Sequence, residues 1–189
     1  MSTPEERLSR LGLTLPPVAA PAGSYVPALR TGSLVYTAGQ LPLADGKLLA
    51  MGKVGEGVTA EQAAALARTC ALNALAAAAA VAGGLSAITR IVKVTGFVAS
   101  APGFTAQPQV LNGASDLLAE IFGEAGQHAR SAVGVAVLPL DAPVEVELIA
   151  EVGGEPPEGT AAEPAAHLGP DRRPGPGHPG GPVDPGGTP

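Results

Sequence analysis

Two runs in the second half of the chain carry the side chains that could do chemistry. The first run, residues 129–139, contains Arg130 and no other basic residue. The second run, residues 144–152, alternates apolar and acidic residues, so that Glu145 and Glu147 lie on the same side of the chain. Like charges on one face cost stability unless an arginine or a ligand lies between them. The pattern therefore predicts that Arg130 either pairs internally with one of these glutamates or offers its planar fork of donors to a ligand.

Other residues with chemical potential support weaker hypotheses. His128 could transfer protons in its ordinary titration range, although a histidine at such a position is more often a turn residue. Cys70 lies within an apolar helical pattern and is interpreted as a small core residue. Neither a phosphate-binding glycine motif nor a Cys/His cluster with zinc spacing occurs, and the Asp and Glu residues are too scattered to argue for a metal site.

Both runs have the Val/Ile content of strands, and the second also has the two-residue period of a half-buried strand. The connection between them, residues 138–143, contains two prolines, which lack a backbone donor and so favour a turn. We therefore predict a β-hairpin or near-hairpin that presents Arg130 and the glutamates.

The rest of the chain predicts two long helices and three more strands. A capping box of Thr59 and Gln62 opens the first long helix, and Gly83 ends it. The second half of that helix, residues 75–82, is apolar all round, and must be buried on every side or covered by another subunit. The other expected elements are a short helix within 3–13, strands at 25–29, 33–40 and 88–98, an irregular loop at 41–58 with an Asp45-Gly46 turn, and a helix at 108–122.

This order, β-β-α-β-α-β-β, predicts an α+β domain in which two helices cover one face of a mixed sheet. The uncovered sheet face would then be hidden most simply by association with further copies of the chain. We divide the chain into an N-terminal extension with a short helix at 1–19, a domain at 20–152, and a tail at 153–189. The tail has ten Gly and ten Pro in 37 positions and no apolar period, which predicts disorder.

Charge and cysteine content narrow the class of protein. The net charge of -6 disfavours nucleic acid as a partner, because phosphate binding normally needs a basic patch. The single cysteine has no disulfide partner, the N-terminus lacks a secretory leader pattern, and the apolar run 74–82 is too short to span a bilayer. A cytoplasmic protein that does not bind membranes is expected.

Several short motifs resemble the Rid/YjgF family of imine deaminases, formerly named after an endoribonuclease activity. They are Gly39-Gln40-Leu41-Pro42, Asn112, Arg130-Ser131 and the run Val144-Glu145-Val146-Glu147-Leu148-Ile149-Ala150. The resemblance covers about residues 20–152 and implies a chorismate-mutase-like fold and a homotrimer with a site in each cleft between subunits. It also implies hydrolysis of 2-imino or 2-enamino acids to 2-oxo acids and ammonia, without metal or organic cofactor.

The resemblance also implies roles for individual residues. Arg130 falls on the position that clamps the substrate carboxylate, and Glu145 on the position that handles the attacking water. Substrate-binding positions fall on Tyr25, Gly39, Asn112 and Ala132, and His128 lies just ahead of Arg130.

Two positions depart from the best-known members and indicate a divergent subfamily. Ala38 replaces a hydroxyl residue, and Ala132 replaces a cysteine. These changes motivate an alternative, a binding or regulatory module that has kept the carboxylate cleft but lost turnover. A ribonuclease ranks last, because the acidic body offers no phosphate track.

Overall fold

The computed structural model describes residues 2–21 and 23–154, so the predicted disordered tail lies, from residue 155 on, outside the described residues. These described residues form three α-helices, and all three were expected. They are α1 (Pro4–Arg10), α2 (Ala60–Ala82) and α3 (Gln107–Phe122).

The main sheet has five strands in the order β1-β2-β9-β7-β8. Neighbouring strands are antiparallel except for β7 and β8, which are parallel, so the sheet is mixed as predicted. Its strands are β1 (Ala28–Thr31), β2 (Leu34–Thr37), β7 (Ile88–Ala99), β8 (Ala129–Val135) and β9 (Val144–Val152). The predicted irregular loop contains two small pairs, β3 (Leu43–Ala44) with β4 (Lys47–Leu48), and β5 (Lys53–Val54) with β6 (Gly57–Val58).

The predicted hairpin between β8 and β9 is wrong, because β7 lies between these two strands. The connection from β7 to β8 runs through α3, and a helical crossover of this kind makes the two strands parallel. The other edge of β7 is then left for β9. Residues 136–143 cross the end of β7, where Ala99 N–H donates to Pro143 O at 2.9 Å and Ser100 N–H donates to Val135 O at 3.0 Å. Eight residues easily cover two strand spacings of about 4.8 Å each, so the connection need not be a tight turn.

The first two strands form a hairpin, but within different bounds from those predicted. β1 begins only after Pro27, which has no N–H to offer a neighbouring strand. The turn lies at Gly32, whose φ of +57° suits a glycine. The predicted Asp45-Gly46 turn is confirmed: both residues have positive φ, +51° and +73°, as a two-residue hairpin turn requires.

Helix α2 is capped as its sequence predicts. Thr59 Oγ1 accepts a hydrogen bond from Gln62 N–H at 3.2 Å, Gln62 Oε1 accepts one from Thr59 N–H at 2.9 Å, and Gly83 ends the helix with a φ of +92°. By length and hydropathy α2 could also cross a bilayer, but 61% of its most apolar window is buried within this chain. Of its apolar second half, residues 75–79 are buried by the chain's own residues, so this part of the helix does not need another subunit to cover it.

The faces of the sheet differ. Helices α2 and α3 pack against each other and against one face, where alternate residues of β9 are fully buried. Helix α1 docks on α3, with Leu8 buried and Arg7 Nη1 donating to Ile121 O at 3.4 Å. No helix of the described residues covers the opposite face, and large apolar side chains on it remain exposed: Leu29 is 50%, Tyr36 38% and Val133 42% accessible. Leu29 and Tyr36 are cross-strand partners, and adjacent exposed apolar side chains of this kind are typical of an interaction face.

Candidate functional site

Arg130 lies on β8 and points to the helix-covered face of the sheet. Its Nη1 donates to Asn112 Oδ1 at 2.9 Å and to Ser115 Oγ at 3.0 Å, and its Nη2 donates to Pro108 O at 3.1 Å. All three acceptors belong to α3 and all are neutral. These bonds use three of the five N–H donors of a guanidinium. Arg130 makes no ion pair with any carboxylate of the described residues, so the internal pair with Glu145 or Glu147 is absent from this part of the chain.

Ser115 also connects Arg130 to His128. His128 Nε2 lies 3.0 Å from Ser115 Oγ, and His128 Nδ1 lies 2.6 Å from Gly126 O. A carbonyl can only accept, so Nδ1 carries the proton and, in the neutral ring, Nε2 accepts from the serine hydroxyl. The hydroxyl in turn accepts from the guanidinium. The result is a hydrogen-bonded row from Arg130 through Ser115 and His128 to the backbone.

This row opens onto a surface cavity of about 300 Å³, which is lined by Ser115, Asp116, Ala119, Gln127, His128 and Arg130. Asn112 lies at its margin, on the same face of α3 as Ser115, because residues three apart on a helix are neighbours. A small anion could therefore reach the guanidinium from solvent, beside a serine hydroxyl.

Glu145 lies elsewhere, on the open face of the sheet. Partial burial, and then the charge of the neighbouring Glu147, raise the pKa of the Glu145 carboxyl above its ordinary value. The carboxylate rests directly on Gly39: a Cβ added to that glycine would overlap Glu145 Oε1 and lie 2.7 Å from Glu145 Cδ. The absence of a side chain at Gly39 therefore leaves the space that the Glu145 carboxylate occupies.

Tyr25 shares a second cavity with Gly39. This cavity of about 90 Å³ is formed by residues 19–21, Tyr25, Pro27, Gly39–Leu41, Leu43 and Leu140. The ring of Tyr25 is half accessible. Tyr25, Gly39 and Glu145 thus form one group, and Arg130, Asn112 and His128 form another.

The register of β7 shows how far apart these two groups are. Val94 pairs with Arg130 and Phe97 pairs with Glu145. Cross-strand partners point to the same face, whereas residues three apart in a regular strand point to opposite faces. Arg130 and Glu145 therefore point away from each other, with Cα atoms about 14 Å apart from two strand spacings and a three-residue offset.

The remaining predicted positions are less central. Ala132 lies two residues after Arg130 on the same face and packs, partly buried, against the core. Cys70 is fully buried, as predicted, and burial followed by the charge of Glu145 raises the pKa of its thiol. Such a thiol is not a nucleophile at neutral pH. No group of three or more His, Cys, Asp and Glu side chains within residues 2–21 and 23–154 could hold a metal ion.

Sequence reasoning missed Ser115. The available signal was its spacing: Ser115 follows Asn112 by three residues, so a role for the asparagine implied one for the serine beside it. A larger cavity, about 520 Å³ between residues 14–19, residues 43–46 and α2, contains none of the predicted site residues. Its larger volume alone does not make this cavity the candidate site.

Comparison with known proteins supports the resemblance of the motifs. Residues 5–152 match the sequence model of a family described as "YjgF/chorismate_mutase-like, putative endoribonuclease". Protein TCP17 of Trypanosoma cruzi is 45% identical over 146 residues, which are 77% of this chain and 91% of TCP17. The crystal structure of the Agrobacterium tumefaciens protein Atu1372 is similar with a TM-score of 0.73 and 48% identity, over 79% of this chain and 92% of that one.

More distant relatives show where the chain diverges. RidA from an Antarctic Psychrobacter is 28% identical with a TM-score of 0.52, over 71% of this chain and 94% of that one. The mitochondrial protein mmf1 of Schizosaccharomyces pombe is 32% identical over 137 residues, 71% of this chain and 72% of mmf1. The lower identity to RidA is consistent with a divergent subfamily.

Proposed function

Because this chain belongs to the YjgF/RidA family, we propose that it hydrolyses reactive 2-imino or 2-enamino acids to 2-oxo acids and ammonia. The fold is the chorismate-mutase-like α+β fold of that family. The specific reaction goes beyond what family membership establishes. It rests on the chemistry of the two residue groups described above.

The observation that carries the proposal is the state of Arg130. Three neutral acceptors fix the orientation of its guanidinium but do not neutralise its charge. Two N–H donors make no hydrogen bond to the described residues. A fixed, charged fork beside an open cavity is suited to a carboxylate, because the two parallel hydrogen bonds orient the ligand as well as bind it.

Glu145 supplies the second function that hydrolysis needs. The imine carbon is already electrophilic, so the protein has to hold the carboxylate, direct a water and protonate the departing nitrogen. A glutamate whose pKa is raised is a better proton acceptor near neutral pH than an ordinary one. Gly39 leaves room for that carboxylate, and Tyr25 lines the neighbouring cavity.

The reaction balances with water as the only co-reactant. The water oxygen forms a bond to the imine carbon, one water proton passes to Glu145, and the imine nitrogen takes up a proton, which gives the carbinolamine. As the C–N bond breaks, the nitrogen takes up a second proton and leaves as ammonia, while the hydroxyl releases its proton and becomes the carbonyl of the 2-oxo acid. In the net reaction the water loses two protons and the nitrogen gains two. No metal and no organic cofactor take part in this scheme.

A single copy cannot complete the scheme, because Arg130 and Glu145 point to opposite faces. We propose a homotrimer in which Arg130 of one copy meets Glu145, Gly39 and Tyr25 of the next. The exposed apolar side chains of the open sheet face, such as Tyr36 and Val133, would be covered in that assembly. Closed rings of identical, head-to-tail contacts create one such shared cleft per copy.

Two other functions are weighed against this one. A binding or regulatory module remains the alternative, since Ala38 and Ala132 depart from the best-known family members while the arginine site is intact. Endoribonuclease activity, which the family description mentions, is disfavoured by the net charge of -6. For the cellular location we propose the cytoplasm, to be tested by fractionation because one relative is mitochondrial.

The direct test generates imino acids in situ with an amino-acid oxidase and follows their competition between hydrolysis and a nucleophilic trap. The protein should reduce the trapped fraction in proportion to its concentration and release ammonia stoichiometrically with 2-oxo acid. A protein that binds pyruvate but leaves the trapped fraction unchanged would be the binding module instead.

A further inference from the structure

The row Arg130–Ser115–His128 contains more than the carboxylate anchor needs. Asn112 and Pro108 O already give the guanidinium two fixed acceptors. Ser115 adds a third and, unlike the others, continues to a titratable ring at 3.0 Å. The ring is itself fixed by the 2.6 Å bond from Nδ1 to Gly126 O. A hydroxyl held between a cation and an oriented imidazole is a geometry for proton transfer.

The state of the row depends on whether His128 is protonated. In the neutral ring, Nε2 accepts the proton of the Ser115 hydroxyl. In the charged ring, Nε2–H donates to Ser115 Oγ, and the hydroxyl proton is free to point into the cavity. Protonation of His128 therefore allows the Ser115 hydroxyl to donate a hydrogen bond to a ligand bound at Arg130.

Ligand binding should favour this second state. A carboxylate bound to the guanidinium of Arg130 brings a negative charge to within one hydroxyl of the His128 ring. Other charged groups around the ring are Asp116 of α3, which lines the same cavity, and Glu124 in the turn before Gly126. Lys93 of β7 pairs with Ala129 and so points to the opposite face.

We propose that Ser115 is a further catalytic residue, which passes a proton from His128 to the departing nitrogen of a substrate whose carboxylate is bound by Arg130. This inference rests on the proposed function. The nitrogen of a 2-imino acid is attached to the carbon next to the carboxylate, so it is held beside Ser115 when Arg130 holds the carboxylate. As the C–N bond breaks, Ser115 Oγ gives its proton to the nitrogen and takes one from His128 Nε2. The neutral ring is recharged from solvent, which receives the proton from Glu145.

The test uses the full chain and pyruvate as the probe. Proton NMR of the histidine rings is followed against pH, with His128 assigned by the signal that disappears in His128→Gln. We expect saturating pyruvate to raise the titration midpoint of His128, since the bound carboxylate favours the charged ring. By linkage, pyruvate affinity should then increase as the pH falls through that midpoint, by about tenfold.

Kinetics of the variants distinguish a proton donor from a structural contact. Ser115→Ala should lower kcat for imine hydrolysis by about 100-fold, in the range of a lost general acid, while changing pyruvate affinity far less. Ser115→Thr keeps the hydroxyl and should retain most activity. Ser9→Ala, at an exposed position of α1, is the control for a serine-to-alanine change on a helix.

Each outcome decides one part of the account. The proton transfer through Ser115 is overturned, and the proposed function stands, if pyruvate binds but does not move the titration midpoint of His128. The same conclusion follows if Ser115→Ala leaves turnover unchanged, or lowers pyruvate affinity and turnover by the same factor. If pyruvate shifts His128 but imines are not hydrolysed, the enzyme is overturned and the row stands as a proton-coupled carboxylate site. If pyruvate does not bind at all, both are overturned.

Discussion

Arg130 and Glu145 point to opposite faces of one sheet, because their partners on the strand between them, Val94 and Phe97, are three residues apart. The two residues that hydrolysis of an imino acid would need are therefore both present in the chain but cannot meet within one copy of it. This relationship connects the chemistry to the assembly. If the two residues act on the same substrate, the active unit contains at least two chains.

The first prediction separates the anchor from the group that handles water. Arg130→Lys keeps a positive charge but loses the planar fork, so we expect pyruvate binding to weaken by about 1.5 to 3 kcal/mol, roughly ten- to a hundredfold. Glu145→Gln keeps the shape of the side chain but loses the proton-accepting charge, so pyruvate should bind about as well while turnover falls. Titration calorimetry and the imine assay measure the two effects. If Arg130→Lys has wild-type turnover, the arginine is structural.

A second prediction concerns the contact between Gly39 and Glu145. Gly39→Ala forces the carboxylate to move, because the new methyl group overlaps Oε1. Overpacking of this kind costs about 1 to 3 kcal/mol of unfolding free energy, and turnover should fall with it. In a Glu145→Ala background the same Gly39→Ala change should cost almost nothing, because the overlapping group is gone. Equal costs in the two backgrounds, measured by denaturant unfolding, would contradict the contact.

The raised pKa of Glu145 predicts the acid side of the pH–rate profile. Glu145 must be ionised to accept a proton, so kcat should fall at a higher pH than the ordinary range of a glutamate. Part of the upward pKa shift comes from the charge of Glu147. Glu147→Gln should therefore lower the pKa of Glu145 and move this limb to lower pH. A limb that does not respond to Glu147→Gln belongs to another group.

The same pKa shift predicts an effect on stability. Folding raises the pKa of Glu145, so the ionised form is disfavoured in the folded state; the cost to stability is absent below the unfolded pKa, grows as the pH rises and is complete above the folded pKa. Glu145→Gln, which cannot ionise, should melt at a higher temperature than wild type at pH 7.5. The difference should disappear near pH 4, where the unfolded chain also begins to bind the proton. A gap that is the same at both pH values would show that the substitution acts through packing.

The sequence allowed much of this fold to be predicted, because its local signals are strong. The capping box at Thr59, the terminating Gly83 and the alternation in β9 each depend on neighbours in the chain. The strand that pairs with both β8 and β9 could not be predicted in this way, because it is β7, which lies far from β9 in the sequence. Two adjacent strands with a proline-rich connection favour a hairpin locally, whereas the crossover through α3 decides the topology by placing β7 between them.

The site shows the same division between local and long-range information. The pattern of residues 144–152 predicted that Glu145 and Glu147 share a face, and the register confirms this. The partners of Arg130 lie 15 to 22 residues away in sequence and depend on how α3 packs over β8. The sequence signal for Ser115 is only its three-residue spacing from Asn112, and its contact with both the guanidinium and the imidazole is seen only in the structure.

Subunit complementation tests the central claim, hydrolysis at a site shared between copies, most directly. Arg130→Lys and Glu145→Gln chains with different tags are co-expressed, and mixed assemblies are isolated through both tags. In a mixed trimer one cleft of the three combines an intact Arg130 with an intact Glu145, so we predict about one third of the wild-type turnover per trimer, well above that of either variant alone. The Arg130→Lys/Glu145→Gln double variant, mixed with either single variant, should restore nothing. Mixed assemblies with no more activity than the separate variants would contradict the shared site.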